Sequence, residues 1–171
     1  MALPRKLKYF NLFNDGDNYQ GVVESITLPK LVRKLEDYRG GGMNGSAKID
    51  LGLEEGAIDM EWTIGGVEAQ LYRQWGSAKI DGVQLRFAGS LQRDDSGDIT
   101  SIEIVTRGRH QEIDSGDYKQ GDNSQTKISS KNTYYKLTIN NEVIVEIDTL
   151  NMIEISNGND LLQEHRRAIG L

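Results

Sequence analysis

Apolar and polar residues alternate with a period of two through much of this chain, the mark of strands with one face in a core and one in water. Between Ala57 and Ile64, the residues Ile58, Met60, Trp62 and Ile64 share one face, opposite Asp59, Glu61 and Thr63. Between Val83 and Leu91, the residues Val83, Leu85, Phe87 and Leu91 alternate with Gln84, Arg86, Ala88 and Ser90. The same rhythm predicts strands over Ser46–Leu53, with Ile49, Leu51 and Leu53 in step, and over Met152–Ile155. Over Ile99–Arg107, Ile102 and Ile104 stand opposite Ser101 and Glu103. In Thr133–Ile139, Tyr135, Leu137 and Ile139 oppose Tyr134, Lys136 and Thr138. Asn140-Asn141 then reads as a two-residue turn, and Glu142–Ile147 returns with Val143, Val145 and Ile147 in register.

Turn residues punctuate these runs. Asp94-Asp95-Ser96-Gly97-Asp98 and Asp81-Gly82 read as hairpin-type connections, and residues 114–123 as a longer polar stretch. Val67, Leu71 and Trp75, four apart, predict a helix over Val67–Trp75 that stops at Gly76. A second helix is predicted over Asp160–Ile169, with Asn157-Gly158-Asn159 as its capping region and Arg166 and Arg167 in its last turn. Tyr38–Ser46 has no core pattern and reads as a flexible or extended loop or as the tip of a long arm, within an extended arm or loop around residues 38–60. The expected fold is mainly β, an antiparallel β-sandwich or barrel-like subunit with one central helix and a short C-terminal helix, in a single domain over residues 1–171.

Composition narrows the function classes. In 171 residues there are 19 Gly and only two Pro, as many short turns require. The absence of Cys excludes disulfides, zinc-thiolate sites and a Cys nucleophile. No secretory signal pattern and no membrane-length apolar run is visible, so no membrane anchor is expected. The formal net charge of −6 is uneven. Residues 1–40 carry seven Lys/Arg against five Asp/Glu, and residues 41–171 carry thirteen against twenty-one. An acidic body argues against tight binding of a phosphate backbone.

The motifs that spell chemistry fail on context. Gly40-x-Gly42-x-x-Gly45 matches a dinucleotide fingerprint only in spelling, because a strand follows it where a helix is needed. Asp15-Gly16-Asp17-Asn18 begins like a calcium loop but lacks the glycine at position six and the glutamate at position twelve. The histidines are His110, read as lying just beyond a strand, and His165, in the terminal helix; neither has a second metal-type ligand at suitable spacing. No catalytic residue, metal site or cofactor is expected. Tyr134 and Tyr135 fall on opposite faces, one in the core and one outside.

One resemblance runs nearly end to end. It is carried by Asn11-Leu12-Phe13 with Asp15-Gly16, by Thr27-Leu28-Pro29-Lys30-Leu31, and by Glu36 with Tyr38-Arg39 leading into Gly41-Gly42-Met43. It continues through Ile49-Asp50, Gly52-Leu53-Glu54, Glu112-Ile113-Asp114 with Gly116-Asp117, Tyr134-Tyr135-Lys136-Leu137, Glu146-Ile147-Asp148 with Asn151, Asn157-Gly158 and Gly170-Leu171. In these residues the chain resembles the major tail tube proteins of contractile-tailed, P2-type phages and the tubes of R-type bacteriocins. The resemblance implies a subunit without catalytic site or cofactor that forms hexameric rings. Rings would stack into a hollow tube inside a contractile sheath, be driven through a host envelope, and conduct DNA in phages. The implied partners are further copies of the chain, the sheath, baseplate or tail-tip and terminator proteins, and a tape measure protein and DNA held without specific binding in the lumen. The implied location is the virion, after assembly in the host cytoplasm.

Within that frame, Tyr38, Arg39 and Met43 are candidates for contact between rings, and Asp59, Glu61, Gln84 and Ser90 for the lumen. Three other readings stay open: a soluble ligand- or carbohydrate-binding β-sandwich, another ring of the same architecture such as a terminator, and a hydrolase on a β scaffold.

Overall fold

The computed structural model describes all 171 residues. Its strands are β1 (Lys6–Asn14), β2 (Asp17–Asn18), β3 (Val23–Thr27), β4 (Arg33–Tyr38), β5 (Ala47–Leu53), β6 (Met60–Gly65), β7 (Val83–Gln92), β8 (Ile99–Asp114), β9 (Gln125–Ile139), β10 (Glu142–Asp148), β11 (Ile153–Ser156) and β12 (Asn159–Asp160). Helix α1 (Ala69–Gln74) lies between β6 and β7, and α2 (Gln163–Ala168) ends the chain. The fold is mainly β and antiparallel, as the period-two pattern predicts.

Ten strands form one sheet that doubles over on itself. Its long path runs β12-β11-β10-β9-β8-β7-β1-β2, and β6 joins β9 to β3. Strand β9 serves both layers: Gln125–Ser130 pairs with β6, and Tyr134–Ile139 pairs with β10. Two irregularities in the β8–β9 ladder, at Arg107/Gly108 and His110/Glu112, mark where β8 passes from one layer to the other, a usual corner in sandwiches. At this corner the two backbones nearly touch. A Cβ on Gly108 would lie 2.0 Å from the Lys131 carbonyl oxygen.

The core lies between the layers. Met60, Trp62, Ile64 and Ile128 come from the four-stranded side β3-β6-β9-β8, and Leu12, Leu85, Phe87, Ile104, Tyr135 and Ile147 from the other. The alternation in β6 and β7 is therefore a true in-out pattern, and Tyr135 is buried while Tyr134 lies under the Arg107 guanidinium. Asn140 and Asn141 both take positive φ, 50° and 63°, as the two-residue turn requires.

Several expectations shift. Strand β8 continues to Asp114, so His110 lies inside a strand, and β9 begins at Gln125, well before Thr133. Val67 and Trp75 are exposed, and Leu71 alone is buried from α1. The helix has six residues, and Trp75 leaves it in extended conformation, so no apolar stripe forms. Asn157-Gly158 does not cap α2. Both take positive φ and turn β11 into β12, and the helix starts later, at Gln163. Asp81-Gly82 closes the α1–β7 connection rather than a hairpin, with the Gly82 amide on the Lys79 carbonyl. Val143 is exposed because the β9–β10 ladder slips between Val143 and Val145.

The arm is a separate two-stranded hairpin, β4–β5. It spans Arg33–Leu53, earlier than the expected 38–60, and Ala57, Ile58 and Met60 belong to the buried body. Strand β5 forms where predicted, yet Ile49 and Leu51 remain exposed because β5 pairs only with β4.

Candidate functional site

Three surface features stand out. The first is the hairpin. Ladder partners share a face, so Tyr38, Ile49 and Leu51 line one side of it, interrupted by Glu36. An isolated hairpin buries too little to be stable alone, and here Leu35, Tyr38, Ile49 and Leu51 are all exposed. The tip brings the three predicted residues together. The Arg39 guanidinium donates to the carbonyls of Met43 and Asn44, the Gly40 amide meets Met43 Sδ at 3.0 Å, and the Tyr38 ring lies over Gly40.

The second surface is the polar outer face of β3-β6-β9-β8. Glu61, Thr63, Ser25, Thr27, Ser129, Glu112, Asp114 and Lys127 line a shallow concavity there. Three carboxylates against one lysine leave it acidic. Asp59, at its margin, is engaged by Lys131 at 3.0 Å and by the Asn132 amide at 3.2 Å. Gln84 and Ser90 do not join this face. They point outward from β7, in the other layer, where Arg86 pairs with Glu103 and covers the Phe13 ring. The four residues expected to share a lining thus divide between opposite faces of the sandwich.

The third surface is a pair of free edges. Strand β3 pairs only with β6. Beyond Gly108, where its pairing with β7 ends, β8 has only β9 beside it. Both edges bound the four-stranded layer. Unpaired edges are templates for strand addition, and the sequence pattern offers no sign of them because pairing partners are not local.

The groups that resemble catalytic ones serve packing. Ser130 Oγ and His110 Nδ1 are 3.0 Å apart, but both residues are buried, and Ser130 also accepts the Trp62 indole N–H. His110 Nε2 is directed at the Gln74 amide oxygen, 2.9 Å away, rather than at a carboxylate. Burial lowers the imidazole pKa to about 4, only partly countered by Asp15. Gln74 and Gln70 in turn bond Asn14 and Tyr19, so the network fastens α1 to β1 and β8. His165 is exposed on α2.

Comparison with known proteins agrees along the whole chain. The family model for phage tail tube protein FII matches residues 4–170. The chain is 54% identical over 172 aligned positions to the tail tube protein of Escherichia phage P2, covering all of both chains. It is 44% identical to the major tail tube protein of Serratia phage KSP20, covering all of this chain and 99% of that one. A 22-residue fragment of the bacteriocin serracin-P 23 kDa subunit from Serratia plymuthica is 82% identical, over 13% of this chain. Among solved structures, a chain of the sixfold-symmetrised anti-feeding prophage baseplate superposes with a TM-score of 0.54 at 10% identity, covering 81% of this chain and 97% of that one. At that identity the likeness concerns the fold alone.

Proposed function

This chain belongs to the phage tail tube protein FII family and is a structural component of the virion, and from that premise we propose how its copies build the tube. The carrying observation is that one four-stranded layer has a free edge on each side, β3 and the end of β8. The edge of one copy adds to the opposite edge of the next. Such a contact is heterologous, and it closes into a ring when the rotation from copy to copy divides a full turn. Six copies per ring are taken from the symmetry named for the structural relative.

In that ring the acidic concavity with Glu61 lines the lumen, with Asp59 at its rim. DNA slides past a wall that does not hold phosphate. Gln84 and Ser90 then face outward, toward the sheath. The hairpin tip with Tyr38, Arg39 and Met43 reaches the next ring, which gives the exposed apolar face of Ile49 and Leu51 a place to be buried. Rings assemble in the host cytoplasm on a baseplate and around a tape measure protein, and a terminator caps the last ring. On contraction of the sheath, the tube is driven through the host envelope.

Electron microscopy with sedimentation across a concentration series, seeded with tail ends, tests assembly. Hydrogen exchange tests the edges. Amides of Val23–Thr27 and of residues 109–114 are expected to gain protection in tubes. Exchange there as fast as in the free subunit would overturn edge pairing.

A further inference from the structure

The hairpin meets the body through a narrow base. No strand of the ten-stranded sheet pairs with it. Leu31, Val32 and Leu53 at its foot share a groove with Val145, Ile147 and Leu161 of the body. Apolar contact of this kind is non-directional, so it holds the foot down without setting an angle. One cation crosses the seam. Arg33 Nε donates to Asp50, across the hairpin, at 2.9 Å, and its Nη1 donates to Glu154 of β11. The Glu154 side chain is only 13% exposed. The hairpin's other ion pair, Lys48–Asp37, is internal to it and cannot orient it against the body.

We propose that Arg33 is the positioning residue of the arm: its guanidinium, forked between Asp50 and Glu154, sets the angle at which the hairpin leaves the body and presents it pre-aimed to the next copy. A planar guanidinium with donors in fixed directions resists rocking in a way a slippery apolar foot does not. Fixing the arm before contact removes an ordering cost from each step of assembly. The assembly half of this inference rests on the reading of the hairpin as a contact between copies; the angle itself does not.

The chain lacks Cys, so cysteines introduced at Asn44, in the tip, and Ser96, on the body, take spin labels specifically. Pulsed electron resonance on the free subunit, below the assembly concentration, reads the distance between them. A single narrow distribution is expected in the parent. It should at least double in width in Glu154→Gln and in Arg33→Met, since either change breaks the fork. The critical concentration for tubes should rise about tenfold in the two single variants. Near-UV circular dichroism checks that the body remains native in each. Unchanged width in both single variants overturns the positioning role. Broadened width with an unchanged critical concentration overturns its part in assembly. If tubes form after deletion of Gly40–Gly45, the inter-copy reading fails, while the label distances still decide the role of Arg33.

Discussion

The His110 imidazole donates its Nε2 hydrogen to the Gln74 side-chain oxygen, 2.9 Å away, and this bond joins α1 to the bend in β8. The tautomer follows from the neighbours. Trp62 can only donate, so Ser130 Oγ accepts from it at 3.1 Å and gives its own hydrogen to Nδ1. Gln74 Oε1 can only accept, so Nε2 keeps its proton. Every member is satisfied while the ring is neutral, and a second proton on Nδ1 would face the Ser130 hydrogen.

Acid should therefore weaken the fold through His110. Its pKa is about 4 in the folded chain, against about 6.5 when unfolded. The unfolded chain binds the extra proton first, so this contribution is complete above pH 6.5 and is lost as pH falls toward 4, amounting to about 3 kcal/mol. Urea melts of the parent and of His110→Gln at pH 7, 5.5 and 4 check this. The difference between the two should shrink as pH falls, and a constant difference would refute it.

Gly108→Ala should cost about 2–3 kcal/mol. The added Cβ meets the Lys131 carbonyl at 2.0 Å and the Asn132 backbone at 2.7 Å, and neither is a movable side-chain end. Gly41→Ala, in the open tip with nothing within 4 Å, should be neutral or slightly stabilising. Thermal melts of the two variants make the comparison.

Thr106 carries a buried hydroxyl with no hydrogen-bond partner. Replacing it with valine removes the unsatisfied group at similar shape and should stabilise by about 1 kcal/mol. A midpoint rise of about 2–4 °C in calorimetry is the expected reading.

Deleting Gly40–Gly45 removes the turn at the hairpin tip and leaves all 14 core residues in place. The variant should give the same near-UV spectrum as the parent and form no tubes in the microscope. Tubes of normal length would remove the tip from the assembly interface.

How much was legible follows from which side chains fill the core. In β6 and β7 the inward residues are apolar, so alternation alone located the strands and their buried faces. The local turn at Asn140-Asn141 was equally readable, because the residues themselves favour positive φ. The ordered match from Asn11 to Leu171 carried the family and, with it, the structural role. The first half of β9 was not legible, since two of its three inward residues, Thr126 and Ser130, are polar. They are buried because Thr126 bonds the Gly66 carbonyl and Ser130 bonds Trp62 and His110, partners far away in the chain. Alternation also misleads in β5, where Ile49 and Leu51 look like core but stand on a hairpin with no second layer. The sequence by itself thus determined the strands whose inward residues are apolar, the local turns and the family. Tertiary structure alone decided that Glu61 and Gln84 face opposite ways, that β3 and the end of β8 are free edges, and that Arg33 meets Glu154 across 121 positions. The physical reason is that period and turn propensity act between near neighbours, whereas layer, edge and ion pair depend on which distant strands the fold brings together.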